Sequence, residues 1–105
     1  MNIRFEYLYR DAENYKIWGD VVFLNPQGLS VDYLNKSVGQ MLTIPPYFVA
    51  QFAKVPDLRR FPLDSNRDHS WHEVFAFLDT QEPDDDPLGR EIDRFIGFLQ
   101  TASCM

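Results

Sequence analysis

Apolar and polar residues interleave near the start of the chain: Ile3, Phe5, Tyr7 and Tyr9 alternate with Arg4, Glu6 and Leu8. A period of two is that of a half-buried strand. After the polar stretch Arg10 to Asn14, Tyr15 to Leu24 predicts a second strand. Folding the two into a hairpin around Ala12 sets Phe5 opposite Gly19, Tyr7 opposite Ile17, Ile3 opposite Val21 and Arg4 opposite Asp20. That register gathers apolar partners on one face and opposite charges on the other. Leu8, Trp18 and Val22 share the second face with the charges. Asn25, Pro26 and Gly28 then break the strand. Ser30 stands where a helix N-cap belongs, with Asp32 in the first turn and Leu29 and Leu34 placed for a hydrophobic staple. Val31, Leu34, Val38, Met41 and Leu42 hold helical spacing to Thr43, ahead of Pro45 and Pro46.

Tyr47 to Val55 is apolar, aromatic and β-branched, which favours a third strand, although Phe48, Phe52 and Val55 also fit a helical spacing. Pro56 to Ser70 reads as a long polar loop, a place to look for function. Trp71 to Asp79 predicts a fourth strand with Trp71, Phe75 and Phe77 on one side and Val74, Ala76 and Leu78 on the other. Apolar residues on both parities imply a central strand covered on both faces. Asp86 and Pro87 form an N-cap and first-turn pair opening a last helix, with Leu88, Ile92, Phe95, Ile96 and Leu99 as its buried stripe. The order strand, strand, helix, strand, strand, helix predicts an α+β domain, a mainly antiparallel four-stranded sheet with two helices on one face. Its other face carries Trp18, Leu8, Val22 and one side of the fourth strand, and a solvated face does not ordinarily collect such residues.

The chain has 105 residues, 45% hydrophobic and 25% charged, which suits a single domain over residues 1–105 with a real core and no need of a disulfide or metal. Its one cysteine, Cys104, falls in a stretch expected to fray, and an unpaired thiol without an export signal points to the cytoplasm. No apolar run reaches the 18 or so residues of a membrane helix, so no membrane partner is expected. The net charge is −6, of which Asp79, Glu82, Asp84, Asp85 and Asp86 supply five with no base between them. The densest basic spot is Arg59 and Arg60 with Arg67 nearby, too little for a nucleic-acid face. The glycines are scattered and form no phosphate-cradling loop, so no nucleotide cofactor is implied.

The densest candidate chemistry is Asp68, His69, Ser70, Trp71, His72 and Glu73, since two imidazoles and two carboxylates can supply a metal site or a general base. On a strand, however, residues three apart point to opposite faces, so His69 and His72 are expected to be separated and no metal is assigned. On that view His72 is a partly buried strand residue hydrogen-bonded to a neighbour. Tyr7, Tyr9, Tyr15 and Trp18 resemble a stacking platform, but without surrounding Lys or Arg they suit core packing and an interface rim better. The acidic run Glu82 to Asp86 lacks calcium-loop spacing and reads as a favourable charge ahead of a helix.

Tyr9-Arg10-Asp11, Asn14-Tyr15-Lys16, Gly19, Asn25-Pro26, Val55-Pro56-Asp57-Leu58 and Asp68-His69-x-Trp71-His72-Glu73 together resemble a group of short uncharacterised bacterial proteins, some carried in mobile gene cassettes. The likeness runs as far as Leu78. It implies a shared small α+β fold and no borrowed catalytic role, and it singles out Arg10 to Lys16 and Asp68 to Glu73. The function expected from these residues is that of a small binding or interaction module, a homodimer or the partner of another protein, joined through an aromatic sheet face. The binding candidates are Tyr9, Arg10, Tyr15, Trp18, Asp68, His69, Trp71, His72 and Glu73, and no catalytic residue or cofactor is assigned. The competing expectation is a small enzyme or metal-binding protein built on Asp68 to Glu73.

Overall fold

A computed structural model describes residues 1–59 and 69–103, so Arg60, Arg67, Asp68 and Cys104 lie outside the described residues. The alternating start of the chain forms β1 (Asn2–Arg10), which pairs antiparallel with β2 (Lys16–Phe23). The register sets Ile3 opposite Phe23, Phe5 opposite Val21, Tyr7 opposite Gly19 and Tyr9 opposite Ile17, two residues from the expected one. The turn chemistry causes the shift. Asp11 Oδ1 accepts the N–H groups of both Glu13 and Tyr15 at 2.9 Å, and Asn14 takes the left-handed φ of 68°, which closes a loop longer than two residues. An even shift leaves every side chain on its expected face. It does change partners: Arg4 faces Val22 rather than Asp20, while Glu6 faces Asp20 and Arg10 faces Lys16.

Ser30 caps α1 (Val31–Met41), its Oγ accepting the N–H groups of Asp32 at 3.1 Å and Tyr33 at 3.3 Å. The expected third strand is only three residues long. β3 (Tyr47–Val49) gives way to the single helical turn α2 (Ala50–Ala53), because Ala50 and Ala53 fit against the core while Phe52 turns outward. Small good helix formers thus override the β-branched and aromatic signal around them. β4 (Trp71–Thr80) completes an antiparallel sheet in the order β2-β1-β4-β3, so β1 and β4 are central.

Two expectations about β4 and the last helix need correction. Glu6 pairs with Ala76 but Tyr7 pairs with Val74, so Phe75 is an extra, unopposed residue and the strand bulges. The bulge reverses parity: Phe77 joins Val74 in the core, whereas Trp71 and Phe75 point out of the other face, where Phe75 is 59% exposed. β4 is therefore not covered on both faces. The last helix, α3 (Ile92–Thr101), starts six residues after Asp86, and Leu88 is exposed outside it. Asp86 does not cap that helix. It accepts the Arg90 N–H at 2.9 Å and holds the Arg90 guanidinium with both carboxylate oxygens at 2.9 Å, while Arg90 also donates to the carbonyls of Ala53 and Lys54 at 2.8 Å. The guanidinium lies over the rings of Phe23, Phe95 and Phe98. A buried cation needs that many acceptors, and they come from Asp86 of the acidic run and from the backbone at the end of α2.

α1, α2 and α3 all pack on one sheet face, where Leu34, Met41, Ala50, Ala53, Ile92, Phe95 and Leu99 meet Ile3, Phe5, Tyr7, Val21, Phe23, Phe48 and Phe77. Phe5 is the centre of a ring cluster, with centroids 4.9 to 5.8 Å from Tyr7, Phe48, Phe77 and Phe95. Offset and tilted rings at these spacings add to the area that the core removes from water.

Candidate functional site

The residues singled out around Asp68 to Glu73 fall into two groups in space. Tyr9 is buried at the end of β1, its ring 5.0 Å from the His69 ring and 5.1 Å from the His72 ring. The two imidazoles therefore flank one tyrosine rather than standing on opposite faces of a strand, because β4 begins only at Trp71 and His69 lies before it. They do not offer free nitrogens. Leu58 N–H donates to His72 Nε2 at 3.0 Å, which leaves the proton on Nδ1 to donate to Ser70 O at 3.2 Å. Trp71 N–H donates to His69 Nδ1 at 3.1 Å, so His69 Nε2 carries the proton and donates to Arg10 O at 3.0 Å. Each ring thus spends its one lone pair on a backbone N–H, and among the described residues no cluster of three metal-ligating side chains occurs.

His72 is fully buried rather than partly so, against Tyr7, Tyr9 and Phe48. Burial lowers its pKa, and Arg59 and His69 push the same way against the Ser70 carbonyl and Asp57. Asp57 Oδ1 lies 3.6 Å from Nε2, but with the imidazole neutral this is no ion pair; Asp57 is held by Arg59 instead, at 2.7 Å. Tyr7 donates its hydroxyl to Pro56 O at 2.7 Å, and burial, with Asp20 and Asp57 nearby, raises its pKa. The segment Pro56–Leu58 is in this way fastened over the sheet, with Leu58 filling the space above Gly19. These contacts are structural. Arg10 belongs to the same framework: its Nε donates to Glu73 Oε2 at 3.0 Å and its Nη1 to Asn14 Oδ1 at 2.7 Å, tying the hairpin turn to β4.

The second group lies on the outer sheet face, which none of the three helices covers. Trp18, 53% exposed, meets Phe75 edge to face at 5.0 Å and 89°. Leu8, buried, is the residue of β1 opposite Trp18. Trp71 stands at the other end of the face, 5.6 Å from the Tyr47 ring. A hollow of about 240 Å³ lined by Glu6, Trp18, Gly19 and Asp20 opens beside Trp18. Val22, expected to be uncovered, is buried, because its backbone pairs with Asp85: Val22 N–H donates to Asp85 Oδ1 at 2.7 Å and Asp85 N–H to Val22 O at 3.1 Å. Tyr15 projects into solvent at the turn, apart from both groups. Phe75, the ring that pairs with Trp18, keeps the alternation with Trp71 that the sequence shows, but a strand apolar on both parities carries no sign of which side the helices leave open.

No family model, no curated protein and no solved structure matches the chain.

Proposed function

We propose that this chain is a small interaction module that associates with a second copy of itself through the outer sheet face around Trp18. The observation that carries the reading is the Trp18–Phe75 pair, two large rings more than half exposed and locked edge to face on a sheet face with no helix above it among the described residues. Preformed aromatic anchors lose little conformational freedom on binding and are the groups that dominate interfaces. Charge supports a second copy as the occupant. By register the strands of the face carry Arg4, Arg10 and Lys16 against Glu6, Asp20 and Glu73, and Glu82 adds one more carboxylate at Arg4, a near balance on a chain whose net charge is −6. Strands so balanced oppose a second copy less than a uniformly acidic surface would. A stable contact buries about 800 Å² per partner. Sedimentation equilibrium of the full chain tests the proposal: association at micromolar concentration, weakened in Trp18→Ser and Phe75→Ser variants that keep their unfolding midpoint, is the expected result. A monomer at every concentration sinks it.

A further inference from the structure

The edge of β2 shows how two copies meet. Val22 turns its N–H and C=O away from β1, toward Asp85. Alternation along a strand then puts the N–H and C=O of Lys16, Trp18 and Asp20 on the same outward edge. Among the described residues no hydrogen bond reaches these backbone groups. Asp85 closes the edge at Val22, so the open stretch is Lys16 to Asp20, with Trp18 at its centre.

The charges on this stretch are arranged against the fold of the single chain. Lys16 lies directly opposite Arg10 and Asp20 directly opposite Glu6, in the pairs where side chains stand closest. Like charges facing each other across strands are destabilising. Arg10 and Glu6 have other partners, Glu73 at 3.0 Å and Arg4 at 3.2 Å. Among the described residues Lys16 and Asp20 are in no ion pair.

We infer that two copies join antiparallel along β2 about a twofold axis at Trp18, each Lys16 facing the partner's Asp20 and Trp18 facing the partner's Trp18. This rests on the self-association proposed above and places it at the edge strand that carries Trp18, so that the two outer faces run side by side as one surface and are not stacked on each other. Only the register centred on Trp18 uses all three outward positions of both copies. A centre at Gly19 would set Lys16 against Val22, whose edge Asp85 occupies, and a centre at Ile17 would leave Asp20 facing Asn14 in the turn. Three hydrogen-bonded pairs at two bonds each give about six new N–H···O bonds. Lys16, Trp18 and Asp20 all point to the outer face, so both unpaired charges gain a counter-charge and the two indoles meet between them. The product is one eight-stranded sheet with its open edge removed.

Charge reversal tests the register. Sedimentation equilibrium would compare the unmodified chain with K16D, D20K and the K16D/D20K double variant. Each single reversal sets like charges together at two places across the axis and is expected to raise the dimer dissociation constant about tenfold or more, whereas the double variant restores it to within about threefold. Inside the chain the same single reversals turn the pairs with Arg10 and Glu6 into attractive ones. The unfolding midpoint of the dilute monomer should therefore hold or rise, which separates lost association from lost folding. If the unmodified chain dimerises but single reversals leave the constant unchanged, the edge register is overturned and the self-association stands. A chain that stays monomeric throughout overturns both.

Discussion

Asn35 of α1 is hydrogen-bonded through both ends of its side-chain amide to one residue of β4: Phe77 N–H donates to Asn35 Oδ1 at 2.8 Å, and Asn35 Nδ2 donates to Phe77 O at 3.0 Å. A primary amide reproduces the donor and acceptor of a neighbouring strand, and β3 is too short to reach this part of the edge. The helix thereby covers an edge that would otherwise stay open to strand addition.

Asn35→Ala should lower stability by about 1 to 2 kcal/mol, since it strands both groups of Phe77 in a partly buried place. Asn35→Asp should cost at least as much, because a carboxylate keeps the bond to the N–H but opposes the carbonyl. Urea unfolding with an unchanged slope would measure both. A loss within error for Ala would mean that water serves the edge as well.

Asp86→Ala should be far more damaging than Asp84→Asn. It leaves the Arg90 guanidinium buried beside three rings without its counter-charge, at a cost of about 3 to 5 kcal/mol, while the exposed Asp84 side chain should change stability by less than about 0.5 kcal/mol. Burial on its own would raise the Asp86 pKa, but the hydrogen bonds and charge of Arg90 outweigh it and lower the value. Stability from this pair is accordingly full above the ordinary aspartate pKa of about 4 and is lost as pH falls through the lower folded value. Acid titration of thermal unfolding, with Asp86→Asn as comparison, should show the variant losing part of that slope.

The buried His72 predicts a second pH dependence at milder acidity. Its folded pKa lies below the ordinary histidine value of about 6.5, so the unfolded chain takes up the proton first. The contribution is complete above about pH 6.5 and shrinks as pH falls toward the folded value. His72→Phe should remove this slope and cost about 2 kcal/mol at neutral pH by leaving Leu58 N–H and Ser70 O unpaired. Unfolding free energies at about pH 7.5 and about pH 5.5 would decide it; an undiminished slope in the variant would assign the effect elsewhere.

Gly19→Ala introduces a Cβ 2.8 Å from Leu58 Cδ2 and 3.3 Å from Tyr7 Cζ. The expected cost is about 1 kcal/mol, because the end of a leucine can give way. In a Leu58→Ala background the same change should be neutral or stabilising, since glycine weakens a strand interior. Coupling of the two substitutions near zero in a double-mutant cycle would show that Leu58 does not depend on the missing Cβ.

Much of the architecture was legible because each strong local signal agreed with its surroundings. The alternation of β1, the Ser30 cap and the apolar spacing of α1 each act within a few residues. The register of the hairpin was not legible by counting, because Asp11 and Asn14 build a turn whose length comes from side-chain hydrogen bonds. The sequence groups Phe77 with Trp71 and Phe75, but one extra residue at Phe75 reverses parity beyond it, and an extra residue leaves no mark in a run that is apolar from Val74 to Leu78. Asp86 looked like a cap because it precedes a proline; its real partner, Arg90, is explained only by the carbonyls at residues 53 and 54 that no local pattern brings near. Trp18 was recognisable as an exposed aromatic, but the mismatch of Lys16 and Asp20 with their neighbours became visible only once the register was known.

The sheet order also sets a timetable for synthesis. β1 is central yet comes first in the chain, and one of its two neighbours, β4, begins at residue 71. A growing chain can close the β1–β2 hairpin early, but it must hold one ladder of unpaired backbone groups and the apolar row Ile3, Phe5 and Tyr7 until some fifty further residues have left the ribosome. Ribosomes add roughly 5 to 20 residues per second, so this interval lasts several seconds. Pairing at such sequence separation is also slow in the refolding of a complete chain. The half-made sheet is thus the species most exposed to misassociation, and charges along an unpaired strand, here Arg4, Glu6 and Arg10, disfavour pairing with a foreign edge.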